Sequence, residues 1–96
     1  MKHIKIFDKA GSFAENKDIA KTIRIKEIVP AIEAKEDVVL DFDKVDTATQ
    51  SFIHALISDV IRKQGNDVLD CITFKACNNT IKQLINIVVE YMQNGN

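Results

Sequence analysis

Tryptophan is absent from this 96-residue chain, proline occurs once, glycine three times and cysteine twice. These scarcities exclude several architectures. No Gly- or Pro-rich linker, internal repeat or low-complexity segment divides the chain, so residues 1–96 read as one domain. Cys71 and Cys77 lie six apart with no His or Cys pair nearby. They cannot build a disulfide framework or a zinc site, and a reduced, cytoplasmic setting is expected. No apolar run approaches the ~20 residues that cross a bilayer. The start, Met-Lys-His-Ile-Lys-Ile-Phe, lacks the apolar region and cleavage site of a signal peptide. Charge of one sign is also missing. Thirteen basic against fourteen acidic residues give −1, without the basic excess that phosphate backbones attract. Neither nucleic acid nor membrane is an expected partner, and no metal or cofactor set stands out.

What is present is an ordinary globular balance, 46% apolar and 28% charged, enough for one modest core. His3–Phe7 alternates as a half-buried strand, and residues 1–10 read as an N-terminal strand and turn, with Gly11 at the bend. Asn16–Ala34 is helical in composition, but its phase shifts. Ile19, Ala20 and Ile23 share one face, while Ile25, Ile28, Val29 and Ile32 share another. Pro30 removes a backbone donor and clashes with the carbonyl of Lys26, so a kink or two short helices are expected there. Asp37–Phe42 reads as a strand whose apolar centre implies cover on both faces.

A helix follows from about Thr49 to Lys63. Its core stripe is Phe52/Ile53, Leu56/Ile57 and Val60/Ile61, and its polar side is Ser51, His54, Ala55, Ser58, Asp59 and Arg62, with Gly65 as the stop. Leu69–Phe74 is a further central strand. Asn78, Asn79 and Thr80 offer caps for a last helix striped by Ile81, Leu84, Ile85, Val88, Val89 and Met92, and residues 94–96 should fray. Strand and helix alternate throughout. The fold class expected is α/β, a largely parallel sheet covered by helices, with ligands or partners meeting the carboxyl ends of the strands.

Four groups carry candidate chemistry. Asp41-Phe42-Asp43-Lys44-Val45 after an apolar strand resembles the nucleophile motif of haloacid-dehalogenase-type phosphatases, in which two aspartates work with magnesium. Those enzymes also need a phosphate-binding Ser/Thr, a Lys and a later acidic pair, and solvated acids at a strand end are the commoner explanation. Ser51 and His54 share a helix face, but no strained nucleophile turn or Gly-rich oxyanion loop accompanies them. Cys77 is either a thiol made acidic by a helix N-terminus or a small apolar filler. Ile87 and Tyr91, beside the last stripe, either widen it or mark a surface for a partner or a second copy.

The stretch Val45-Asp46-Thr47-Ala48-Thr49-Gln50-Ser51 lies at a strand end and holds more hydroxyls than a cap requires. Thr47 or Thr49 can cap the helix. With Thr49 as the cap, Ser51 falls at the second helical position, exposed and near the positive end of the helix dipole, where a phosphate is tolerated.

The run Leu40-Asp41-Phe42-Asp43-Lys44-Val45, a short turn and then Ser51 opening an amphipathic helix resembles the STAS fold of anti-sigma factor antagonists, and most closely the STAS-like domain family of unknown function. The likeness spans roughly Gly11 to Met92. In those antagonists the pattern Leu-Asp-Leu-x-x-Val-x-x-x-Asp-Ser-Ser-Gly carries a regulatory serine, phosphorylated by a histidine-kinase-like ATPase. Leu40, Asp41, Val45 and Ser51 fall on that pattern. Thr49 stands in place of its aspartate, Gln50 of its first serine and Phe52 of its glycine. The resemblance implies a bacterial, non-enzymatic signalling domain that binds an anti-sigma or serine kinase-type ATPase. The partner-binding residues expected are Asp46, Thr47, Thr49, Gln50, Ser51, His54 and Ser58, with Ser51 the phosphoacceptor.

Overall fold

A computed structural model describes residues 1–94. Gly95 and Asn96, most of the tail expected to fray, lie outside the described residues, and Asn94 closes the last helix. In chain order the elements are β1 (Lys2–Lys5), α1 (Ile6–Ala10), β2 (Phe13–Ala14), α2 (Lys17–Ile23), a π-turn (Arg24–Ile28) and α3 (Val29–Glu33). Then come β3 (Val38–Asp41), β4 (Thr47–Ala48), α4 (Gln50–Gln64), a 3₁₀ turn (Asn66–Cys71), β5 (Ile72–Lys75) and α5 (Asn79–Asn94).

β1, β3 and β5 form a parallel sheet with β3 in the centre, in register Ile4–Leu40–Phe74. β2 and β4 make a second, two-residue parallel pair, Phe13 opposite Thr47 and Ala14 opposite Ala48. The α/β class and the parallel sheet are as the alternation implies. The pleat sends Ile4, Val38, Leu40 and Ile72 into one core with Ile23, Ile28, Leu56, Ile57, Ile81 and Val88 of the helices. On the other face, His3, Lys5, Thr73 and Lys75 are exposed on the edge strands. The central strand β3 is nonetheless buried on both faces, as its apolar run implies. Val38 and Leu40 join the helical core, and Val39 and Asp41 are buried on the opposite face.

Three element boundaries differ from expectation. The alternation of His3–Phe7 does not continue as strand; at Ile6 the chain turns into α1 and leaves Phe7 half-exposed. The strand expected from Leu69 starts at Ile72, because Asn66–Cys71 winds as 3₁₀. The expected kink at Pro30 is a π-turn placed before it: the Val29 N–H bonds to the carbonyl of Arg24, five residues back. One inserted residue rotates the later apolar positions onto the core, which is what the phase shift in the sequence required. Pro30 then sits in the first turn of α3, where its missing N–H costs little.

Charge anchors the π-turn on both sides. Arg24 pairs with Asp59 at 3.3 Å and donates to the Ala55 carbonyl at 2.7 Å. Glu27 pairs with Lys9 at 3.2 Å and Lys2 at 3.6 Å.

Candidate functional site

The segment from Val45 to Ser51 is fixed through its backbone. Asp46 and Thr47 donate their N–H groups to the Ser12 carbonyl at 2.8 and 3.2 Å, and Thr49 donates to Ala14 at 3.0 Å. From the other side, Asn78 Nδ2 donates to the Asp46 carbonyl at 2.8 Å, while Asn78 Oδ1 caps α5 by accepting from Ile81. Thr49, not Thr47, caps α4: its Oγ1 accepts from the Phe52 N–H at 3.1 Å. Phe52, where the antagonist pattern has glycine, is fully buried and nails the first turn of α4 to the core.

Side chains on this rigid turn stay outside. Asp46, Gln50 and Ser51 are exposed; Thr47, Thr49 and His54 are half-buried. Ser51 makes no hydrogen bond among the described residues. It opens onto a shallow hollow shared with Lys17, Gln50, His54 and Ala55. One expected residue does not belong to this surface. Ser58 is 2% exposed, and its Oγ meets His54 Nδ1 at 3.3 Å. With α2 and α5 both packed on α4, Ser58 drops out of the polar face read from the sequence and supports His54 from beneath, while Asp59 and Arg62 stay at the surface further along the helix. Sequence reasoning kept Tyr91 apart from this site. Its ring lies 6.4 Å from the His54 imidazole, so α5 contributes an exposed aromatic to the same surface. The available signal was its position beside Ile87, off the apolar stripe; the neighbour was not legible.

Asp41 is arranged in the opposite sense. It is 7% exposed. Oδ1 accepts from the Asp43 N–H at 2.9 Å and Oδ2 contacts His3 Nε2 at 2.8 Å. The Asp43 amide first, then the His3 hydrogen bond, holds its carboxyl below the ordinary 3.8. Both oxygens are engaged by the chain's own donors, so the carboxylate clamps β1 to β3 and closes the turn after it. Asp43 is exposed beside Lys44, which takes a left-handed backbone (φ 70) and extends over the Phe7 ring. No cluster of three or more His, Cys, Asp or Glu residues placed to hold a metal occurs among the described residues. At Cys77 burial pushes the thiol up, the reverse of the acidic thiol considered above. No helix among the described residues is long and apolar enough to cross a membrane.

A single small α/β domain with parallel strands and a strand-to-helix turn leading into α4 is consistent with a STAS-like fold. The chain belongs to the family of STAS-like domains of unknown function (DUF4325), whose model matches residues 19–82. That span holds β3, β4, α4 and Ser51, and leaves His3 and Tyr91 outside. Searches of curated proteins and of solved structures returned no match. The family is not one of known enzymes.

Proposed function

We propose that this domain is a non-enzymatic regulatory module that binds a protein partner through the first two turns of α4. The contact surface comprises Asp46, Thr47, Thr49, Gln50, Ser51 and His54, extended by Tyr91. One observation carries the reading. Ser51 presents a hydroxyl that no described residue engages, on a backbone held from both sides by Ser12, Ala14 and Asn78. Unengaged polar groups on a rigid support lose little entropy when a partner takes them up. Tyr91 supplies the amphipathic aromatic that protein contacts favour.

The resemblance to anti-sigma factor antagonists adds a switch. A histidine-kinase-like ATPase of a bacterial cytoplasm phosphorylates Ser51, and the added charge at the second position of α4 sits near the helix's positive end, with Lys17 across the hollow. Incubation with such an ATPase and ATP, followed by mapping of phosphate by mass spectrometry, tests this. Phosphate on Ser51 supports the switch. Binding without modification reduces the domain to a plain interaction module. Ser51→Asp with unchanged partner affinity removes the site.

A further inference from the structure

Two apolar features of the helical layer are left largely open to solvent. The first is a groove. α2 packs closely along α4, but the π-turn swings the helix aside, and the contact thins towards α3. The opening, about 260 Å³, is floored by Ile25, Val29, Ile32 and Val60, with Lys63 on its α4 wall and Glu33 on its α3 wall. Ile25 is 51% exposed. The second feature is a knob on α5, where Ile87 and Tyr91 stand one turn apart, 48% and 63% exposed, with Glu90 beside them. None of the groove's lining residues comes from α5, so the knob does not fill the groove of its own chain.

Charge selects the fit. Lys63 and Glu90 both lack an oppositely charged partner among the described residues. Glu90 is the sole carboxylate between Gln83 and Asn94. Arg24 and Asp59, also on the groove, neutralise each other. An α5 helix laid in the groove with Glu90 towards Lys63 keeps it away from Glu33 on the other wall, so one orientation is favoured over its reverse.

We propose that a second copy of this chain seats its Ile87–Tyr91 face in this groove, with Glu90 against Lys63. Knob and groove are different surfaces, so the contact is head-to-tail, and an open assembly carries a free knob at one end and a free groove at the other. The patch is small, and association is weak, visible between about 10 µM and about 1 mM.

Sedimentation equilibrium of the full chain across that range tests it. The weight-average mass should rise above the 10.8 kDa of one chain as concentration increases. Ile25→Lys and Tyr91→Lys, both at exposed positions, should each stay monomeric while keeping the wild-type circular dichroism and melting temperature. Mixed together they should form a pair and stop there, because one intact knob meets one intact groove. Lys63→Glu should weaken association, and Lys63→Glu with Glu90→Lys in one chain should restore it. A wild type that remains monomeric at the highest concentration overturns the proposal. So does an associating wild type whose two variants, once mixed, form no pair.

Discussion

At the end of β3 the polar side chains turn into the fold; just past β4 they turn out of it. Asp41 is buried, with one oxygen on the Asp43 amide and the other on His3. Around Ser51 the chain achieves the same rigidity differently. Backbone donors of Asp46, Thr47 and Thr49 and the Asn78 carboxamide hold the turn, Thr49 caps the helix, and the Ser51 hydroxyl takes no partner among the described residues. Two strand ends, both rich in oxygen atoms, thus differ in what is spent on fastening: at the first it is the Asp41 carboxylate, at the second chiefly backbone groups together with Thr49 and Asn78. Where side chains fasten, little is left for a partner. Where the backbone fastens, polar groups remain available.

Substitutions separate the two regions. Phe52→Ala should cost most, about 3–5 kcal/mol in urea unfolding, since it empties a fully buried aromatic site under the turn. Asp41→Ala should follow at about 1–3 kcal/mol, because it strands the His3 and Asp43 donors. The same carboxylate adds a pH dependence. Its folded-state pKa lies below 3.8, so its contribution is complete above the unfolded value and is lost as pH falls through the folded one. Acid unfolding of Asp41→Asn should show a flatter slope below about pH 4 than the wild type. Thr49→Ala should cost about 1 kcal/mol as a lost cap. Ser51→Ala, smallest of all, should fall within about 0.5 kcal/mol of wild type. A loss at Ser51 matching that at Asp41 would erase the distinction.

Much of the frame was legible. Thr49, Gly65 and Asn78 act as the cap, stop and cap that their residue types suggest, and the three paired apolar steps of α4 are buried as written. The phase shift between Ile23 and Ile25 announced a break, although the proline drew attention away from the π-turn that makes it. Contacts between distant residues were not legible. The two-residue pairing of Phe13–Ala14 with Thr47–Ala48 is too short to leave a periodic signal. His3 and Asp41 meet across 38 residues of chain. Ser58 carries the spacing of an exposed position on α4 and is covered only because other helices pack there. Local rules name the face a residue takes on its own helix and are silent about what arrives from elsewhere.

Calorimetric titration of a histidine-kinase-like ATPase with the wild type, Ser51→Asp and Asp41→Asn bears most directly on this account. The expected result is a change of at least about tenfold in affinity for Ser51→Asp at an unaltered melting temperature, with Asp41→Asn lowering the melting temperature while binding as wild type wherever it is folded. Equal affinity for wild type and Ser51→Asp, with binding lost in Asp41→Asn under folded conditions, would contradict it.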